Sequence, residues 1–429
     1  MELALILIFV LGYLAIAFEH PLKVNKTAPA LLLGALMWSV WAVSDFGQIK
    51  EINSELNHEL ADVAQILFFL MGAMTIVELI DAHQGFKIIT NRIKTTNARK
   101  LLWIISFITF FLSALLDNLT TAIVMVSLLR KLVHDREQRL YYVGIVVIAA
   151  NAGGAWSPIG DVTTTMLWIG GQISSANIMK TLFIPALVCL VIPVFAIGFK
   201  LKGEVKRDSY DYDKAAEEEK VKGSLTMLLF GVGALIFVPV FKTFTHLPPY
   251  LGMLLGLSIV WVVSELLHID KTEEEKKPYS AIHALSRIDV SSVLFFLGIL
   301  LGIGVLRGTG ALGDLAAWMD KTIGNQDLIA FSIGLLSAVV DNVPIVAATM
   351  KMYPLDAFPM DAKLWEFIAY AAGTGGSCLI IGSAAGVAVM GMEKIDFIWY
   401  LKKISWLALL GYIAGALAYL AVYPIFAVH

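Results

Sequence analysis

The feature that most constrains this chain is a series of apolar segments, each close to the roughly 20 residues that an α-helix needs to cross a bilayer. Hydrophobic residues make up 58% of the 429 residues and charged residues only 16%, against roughly 25% in a soluble domain. The sequence therefore predicts an all-α polytopic membrane protein and excludes disordered and nucleic-acid-binding classes. We predict ten spans, near 3–18, 28–44, 62–81, 141–169, 181–199, 224–241, 250–267, 288–306, 364–391 and 397–422.

Two further apolar stretches, 101–130 and 327–350, each carry an Asp-Asn pair at the middle. If both stretches are re-entrant hairpins, 25 of the 32 Lys and Arg residues fall on one side of the membrane, whereas full crossings divide them 14 to 18. Lysine and arginine are enriched in cytoplasmic loops. We therefore predict a hairpin at 101–132 opening to the cytoplasm, a hairpin at 327–352 opening to the outside, and both termini outside. The loop 45–61 then also lies outside.

The two halves of the chain resemble each other. Ser113-Ala-Leu-Leu-Asp-Asn matches Ser337-Ala-Val-Val-Asp-Asn, and two further pairs of motifs recur at offsets between 222 and 227 residues. The pattern predicts a first repeat at 1–199, a cytoplasmic linker at 200–223 and a second repeat at 224–429. Because each half has five spans, the second starts from the opposite side, and the repeats are inverted. Inverted repeats with broken helices are typical of transporters.

Polar residues at membrane depth indicate a cation site. The stretch 151–165 and its counterpart 373–383 interrupt two spans with glycines, hydroxyls and, in the first half, a carboxylate. Hard cations prefer such oxygen ligands, and a buried carboxylate costs several kcal/mol unless it is paired, hydrated or protonated. We expect Na⁺ ligands among Asp117, Asn118, Thr121, Asn151, Ser157, Asp161, Thr163, Thr164, Asp341, Asn342, Thr374 and Ser377, with Asp117, Asp161 and Asp341 as proton carriers.

Each of these candidates has a structural alternative. Asp117 could cap a half-helix, Asp161 could be held by the neighbouring threonine hydroxyls, and the tip asparagines could satisfy backbone groups. The halves are also chemically unequal, because Ser383 occupies the place of Asp161.

The charge pattern favours a cation as the transported species. Every Lys and Arg falls in a loop or at a span end, while three carboxylates flank the expected cavity. A carboxylate can hold a proton or a metal cation but hardly both, which provides a physical basis for exchange. No nucleophile–base pair or metal-ligand cluster lies at membrane depth, so we expect neither an enzyme nor a cofactor.

At these motifs the chain resembles the ion transporter superfamily and, within it, the NhaD-type sodium/proton antiporters. The resemblance extends from about 28 to 422 and is most specific at 113–121, 151–165, 337–344 and 373–383. It implies exchange of cytoplasmic Na⁺ or Li⁺ for external H⁺ in a bacterial inner membrane, and a homodimer built from a scaffold and a moving transport domain.

Two relatives within the superfamily supply alternative functions. Members that carry di- and tricarboxylates with Na⁺ have Ser-Asn-Thr at the hairpin tips, whereas this chain has Asp-Asn. Arsenite-type carriers share the tip motif. A sodium-coupled di/tricarboxylate symporter and an arsenite-type carrier or channel therefore stay open beside the antiporter.

Overall fold

The computed structural model describes residues 2–17, 19–90, 93, 95–201, 203–205 and 221–426. Within them the regular secondary structure is helical, apart from one isolated β-bridge between Asn97 and Glu204. Seven of the described helices are long and apolar enough to cross a membrane. This confirms the prediction of an all-α polytopic membrane protein.

Residues 2–198 form helices of very different lengths. They are α1 (Glu2–Ala17), α2 (Thr27–Ser44), α3 (Ile49–Ala82), α4 (Ala98–Ser113), α5 (Asn118–Leu132), α6 (Arg136–Ala155), α7 (Val162–Ile169) and α8 (Ser175–Gly198). Two four-residue helices, Glu19–Leu22 and Lys87–Thr90, lie between them.

Residues 224–426 also form helices of different lengths. Its helices are α9 (Ser224–Thr245), α10 (Pro249–Leu267), α11 (Val290–Gly308), α12 (Ala311–Ile323), α13 (Gln326–Leu336), α14 (Asn342–Met352), α15 (Lys363–Gly375), α16 (Ala384–Glu393) and α17 (Phe397–Phe426). Short helices occur at Glu273–Lys276 and Ala281–Arg287, and α17 contains a π-helical turn at Leu401–Ser405.

Two sequence predictions fail at polar segments. The predicted loop 45–61 is mostly the first part of α3, which begins at Ile49. Helix α12 was not predicted at all. Both helical segments are amphipathic or largely polar, so a hydropathy profile does not detect them. In the first part of α3, the polar residue Glu59 is buried against Arg307 at 2.9 Å. Helix α12 buries only Leu312 and Ala316.

Helices α4 and α5 fold back on each other. At the start of α4, the Tyr142 hydroxyl donates to the Ala98 carbonyl at 2.7 Å. At the end of α5, Arg139 donates to the Val133 carbonyl at 2.8 Å. Both open ends of this first helix pair therefore lie beside the first turns of α6. The turn between them lies deeper, where Ser113 hydrogen-bonds the carbonyl of Ala150.

Helices α13 and α14 form a second pair of the same kind. Lys363 pairs with Asp327 at the start of α13 at 2.6 Å. After α14, Tyr353 packs edge-to-face on Phe358, whose carbonyl accepts from Trp365 at 2.9 Å. Both open ends of the second pair therefore lie beside the first turn of α15.

The two interrupted helices, α6–α7 and α15–α16, run in opposite directions. Glu393 at the end of α16 accepts from Arg130 at 2.6 Å and Arg139 at 3.1 Å, beside the start of α6. At the other end, Asp361 precedes α15 and accepts from the Ser174 backbone, just beyond α7, at 2.6 Å. The two helix pairs consequently open at opposite ends of the molecule.

The predicted linker is not wholly a solvated segment. Its first residues dock on the strand-like approach to α4, where the Ala98 N–H donates to Gly203 and the Val205 N–H donates to Thr96. Leu201 and Val205 are buried there. Residues 202 and 206–220 of this predicted linker lie outside the described residues.

Candidate cation site

The three candidate carboxylates cap the first turns of three helices. Asp117 precedes α5 and its Oδ1 accepts from the Thr120 N–H at 2.8 Å. The Oδ1 of Asp161 accepts from the N–H of the second residue of α7 at 2.9 Å, and Asp341 makes the equivalent contact on α14 at 3.2 Å. Ser383 caps α16 in the same way. Asp117 therefore does cap its half-helix, as do Asp161 and Asp341, but capping uses only one oxygen of each carboxylate.

The second carboxylate oxygen meets a different partner in each case. Asp117 Oδ2 accepts from the hydroxyl of Thr120 at 2.6 Å. Asp161 Oδ2 accepts from two side-chain amides. Asp341 Oδ2 lies 2.9 Å from the ammonium of Lys26. Across the described ranges, no group of three or more His, Cys, Asp or Glu side chains converges as a metal cluster.

Asp161 is the meeting point of the two turns. Its Oδ2 accepts from Asn118 Nδ2 at 3.0 Å and from Asn342 Nδ2 at 3.4 Å, so one oxygen contacts both Asp-Asn pairs. Asn151 extends the network: its Oδ1 accepts from Asn118, and its Nδ2 donates to Ser377 Oγ at 2.9 Å and Ser383 Oγ at 3.0 Å. These polar groups are buried. The structure therefore brings five of the predicted site residues together, namely Asn118, Asn151, Asp161, Asn342 and Ser377.

The remaining predicted ligands make mostly local contacts. Thr163 Oγ1 donates to Asp161 Oδ1 at 3.0 Å, and Thr164 Oγ1 donates to the Asp161 carbonyl at 2.9 Å. Thr374 Oγ1 bonds back to the Tyr370 carbonyl. The buried hydroxyl of Ser157 accepts from the Ile159 N–H at 3.4 Å, so like Thr374 it serves its own segment.

Thr121 differs from these hydroxyls. Within the described residues its Oγ1 is buried and has no hydrogen-bond partner. Leaving a buried polar atom unsatisfied costs about 1–3 kcal/mol. Such an oxygen is available to a bound cation or water.

Asp117 faces a small cavity rather than another charge. Asp117, Asn118, Thr165 and Ser292 line a space of about 60 Å³, together with apolar side chains of α3 and α11. This volume can hold water, which needs roughly 10–15 Å³ and polar partners. In the described part of the chain, no cationic side chain lies within 4 Å of the Asp117 carboxylate.

Glycines hold the interrupted helices against the turns at matching places. A Cβ on Gly153 would meet the Phe110 carbonyl, and one on Gly375 would meet the Gly334 carbonyl. The Ser113 hydroxyl donates to the Ala150 carbonyl at 2.6 Å, and the Ser337 hydroxyl donates to the Ala372 carbonyl at 3.0 Å. The two halves therefore use one packing scheme.

Sequence reasoning missed Lys26. It lies just before α2 and was assigned to a loop, yet it reaches Asp341 and sits 4.4 Å from the centre of the Phe295 ring. Nothing in a single sequence links two residues 315 positions apart.

Sequence reasoning also missed a charged cavity at the end of the molecule where the second helix pair opens. The cavity has a volume of about 410 Å³ and lies between α3, α7, α11 and α14. On its wall, buried Glu59 is paired with Arg307 at 2.9 Å and Lys351 at 3.1 Å. This pairing of a glutamate on α3 with a lysine on α14 is visible only in the folded structure and not in the sequence.

Comparison with known proteins identifies the family. The profile of a family described as citrate transporters matches residues 13–365. The chain belongs to the citrate transporter family. Within it, it falls among the NhaD-type proteins that its motifs resemble: it is 30% identical over 97% of its length to the Na⁺/H⁺ antiporter NhaD of Vibrio cholerae, covering 91% of that protein.

Plant members of the family are more similar still. The chain is 51% identical to sodium/proton antiporter 1 of Arabidopsis thaliana over 98% of its own length and 73% of that protein. It is 48% identical to sodium/proton antiporter 2 of the same plant over 97% and 99% of the two lengths. The family consists of transporters, and this confirms the prediction that the chain is not an enzyme.

Proposed function

We propose that this chain exchanges Na⁺, or Li⁺, for H⁺ across a membrane, by competition of the two cations for buried carboxylates. The observation that carries the proposal is Asp161 Oδ2, a buried carboxylate oxygen between the amides of Asn118 and Asn342. The names of the plant and bacterial relatives support the same exchange.

The residues around Asp161 have the chemistry that a small hard cation requires. A half rotation of either amide about its last side-chain bond replaces the Nδ2 that faces Asp161 by an oxygen. The site then offers carboxylate and amide oxygens, with the unpartnered hydroxyl of Thr121 and the cavity beside Asp117 close by. Protonation of Asp161 removes the charge that attracts the cation, which couples release of one ion to binding of the other.

The capping pattern distinguishes this proposal from a carboxylate symporter. Helix N-termini attract anions because their first N–H groups are unpaired. Here three helix starts are already occupied by resident carboxylates, those of Asp117, Asp161 and Asp341. An organic anion would have to displace an aspartate to use these donors. Because the family is described as citrate transporters, a symporter is the second candidate function. Sodium-dependent uptake of a labelled tricarboxylate tests the symporter. Arsenite resistance in a sensitive strain tests the arsenite-type carrier.

We also propose ten transmembrane spans and two re-entrant hairpins in two inverted repeats, at 1–199 and 224–429 with a cytoplasmic linker between them. The matching contacts of Ser113 and Ser337, and of Gly153 and Gly375, support the duplication. The opposite openings of the two helix pairs support the inversion. In this arrangement the hairpin turns, with Asp117 and Asp341, lie within the membrane and both termini lie outside.

The proposed setting is a homodimer in an energised bilayer that carries a proton gradient. The bacterial NhaD relatives support the bacterial inner membrane, while the two Arabidopsis relatives extend the family to plant membranes. The protein needs no cofactor in this scheme: Na⁺, Li⁺ and H⁺ are its substrates.

Everted membrane vesicles test the exchange directly. Respiration acidifies their interior, and addition of Na⁺ should then release protons, which a pH-sensitive dye reports. Asp117→Asn should abolish this response. Because Asn caps a helix as well as Asp does, the substitution removes the charge and keeps the cap.

Asp135→Asn provides the matched control. Asp135 caps the exposed start of α6, where its Oδ1 accepts from the Gln138 N–H at 2.8 Å. This variant should keep the full response. Sodium-driven proton release that persists in Asp117→Asn would refute the role of the first turn.

A further inference from the structure

The second turn carries a built-in cation. The Lys26 ammonium lies 2.9 Å from Asp341 Oδ2, and the two side chains are only 25% and 17% exposed. The same ammonium lies 4.4 Å from the centre of the Phe295 ring, which favours a cation on its face. Glu19 and Asp289 also lie within electrostatic reach of this ammonium, but Asp341 is the carboxylate that it contacts.

The helix that presents Lys26 is firmly packed. Helix α2 approaches α11 so closely that a Cβ on Gly34 would lie 2.5 Å from the Gly298 carbonyl. The Thr27 hydroxyl donates to the Ser291 carbonyl at 2.8 Å, and the Trp38 indole donates to the Leu301 carbonyl at 3.0 Å. Lys26 therefore approaches Asp341 from a helix pair other than the one that carries Asp341.

In the part of the chain that the structure describes, the first turn has no equivalent cation. At offsets of 222 to 227 residues, the counterpart of Lys26 falls in the run 248–253, which contains no lysine or arginine. Met253, the last residue of this run, lines the cavity beside Asp117. The two turns share their Asp-Asn pair and their packing, yet among the described residues a lysine lies on the carboxylate of Asp341 and none lies on that of Asp117.

We propose that Lys26 is the resident cation of Asp341, a positioning residue that keeps transported Na⁺ off the second turn and confines it to Asp117 and Asp161. The inference rests on the proposed function. A Na⁺ ion on Asp341 would have to displace the ammonium or lie beside a like charge. Asp341 then serves to hold Lys26 rather than to carry the transported ion.

This role predicts a rescue that an ion-ligand role for Asp341 does not. Asp341→Asn alone leaves the Lys26 charge unpaired close to the cation site, and exchange should fall strongly. Lys26→Met combined with Asp341→Asn removes both charges, and replacing a buried ion pair by neutral groups is often tolerated, so exchange should return to within about threefold of wild type. The measurement is Na⁺-evoked proton flux in proteoliposomes made from the full chain, with the Na⁺ concentration at half-maximal rate.

The outcomes separate the hypotheses. Wild-type protein without Na⁺-evoked flux would refute the proposed function itself. With active wild type, a folded double variant as inactive as Asp341→Asn would overturn the role of Lys26. Lys26→Arg keeps a cation on Asp341 and should leave the half-maximal Na⁺ concentration unchanged.

A second measurement applies if the double variant does not fold. Lys26→Met frees the Asp341 carboxylate, so the purified protein should bind one additional ²²Na⁺ ion per chain at saturation. An unchanged count of bound ions would contradict the inference.

Discussion

The two Asp-Asn turns are alike in backbone and different in charge. At the first turn, the second oxygen of Asp117 meets the hydroxyl of Thr120, on its own helix, and faces a small cavity. At the second, the same oxygen of Asp341 meets the ammonium of Lys26. One carboxylate is therefore open to a mobile ion, while the other is already compensated.

The difference extends to the interrupted helices behind the turns. Asp161 and Ser383 occupy matching positions and both cap a helix, but only Asp161 brings a charge. The packing contacts are therefore similar in the two halves, whereas the charged side chains differ. The glycine and serine contacts that set the backbone recur in both halves, whereas three side chains (Lys26, Asp161 and Ser383) make the halves electrically unequal.

The largest expected effect tests the shared packing. Gly153→Val and Gly375→Val each drive a side chain into the facing backbone carbonyl, of Phe110 and Gly334 respectively. We expect each to cost roughly 3 kcal/mol or more of folding free energy, and folded protein to be nearly lost on size-exclusion chromatography in detergent. Gly391→Val is the control, because a Cβ on Gly391 meets nothing within 4 Å. A strong loss in one half only would argue against a common scheme.

The next effect tests the unequal charges. Asp161→Asn keeps the cap on α7 but removes the central anion, so Na⁺-evoked exchange should fall about 100-fold, equivalent to roughly 3 kcal/mol of lost cation stabilisation. Ser383→Ala removes only a neutral cap and a hydrogen bond from Asn151, and should lower exchange severalfold, about 1 kcal/mol. Equal losses in the two variants would mean that Asp161 acts through packing rather than charge.

Hydropathy and local motifs predicted where most of the apolar helices lie. Most of the predicted apolar stretches coincide with helices to within a few residues, and the break at 156–161 follows from its glycines and Pro158. Asp-Asn pairs in apolar stretches identified the turns because a carboxylate in that setting needs a specific reason. The exception is the span at 62–81, whose helix begins at Ile49, since a polar amphipathic segment has the same composition as a loop.

The partners of the charged side chains could not be predicted. A lysine at a helix start looks like any cytoplasmic lysine until the fold brings it against a carboxylate 315 residues away. Asp161 shows the opposite case: its own segment predicted the contacts with the neighbouring threonine hydroxyls, and the expected ligand set already included Asn118 and Asn342. Local geometry and symmetry are readable from sequence, whereas single long-range ion pairs are not.

The tip asparagines provide a finer comparison of the turns. Asn118 donates to both Asn151 and Asp161 at 3.0 Å, whereas Asn342 reaches Asp161 alone at 3.4 Å. Asn118→Ala should therefore raise the half-maximal Na⁺ concentration about tenfold, and Asn342→Ala about threefold, in line with the loss of hydrogen bonds to a charged group. The flux assay in proteoliposomes measures both. A larger effect at Asn342 would reverse the assigned importance of the two turns.

The smallest expected effect concerns the ion pair at the open end of each helix pair. Arg130, at the end of the first pair, binds Glu393 on α16, while Lys351, at the end of the second, binds Glu59 on α3. Lys351→Met leaves Glu59 paired with Arg307 at 2.9 Å, so the buried acid keeps a partner and the maximal exchange rate should change by no more than about threefold. The half-maximal Na⁺ concentration should stay the same, as in the exposed control Lys321→Met. A tenfold shift in that concentration would mean that the ion pairs lining the 410 Å³ cavity lie on the path of the cation. The second helix pair would then contribute to transport at its open end rather than at its turn.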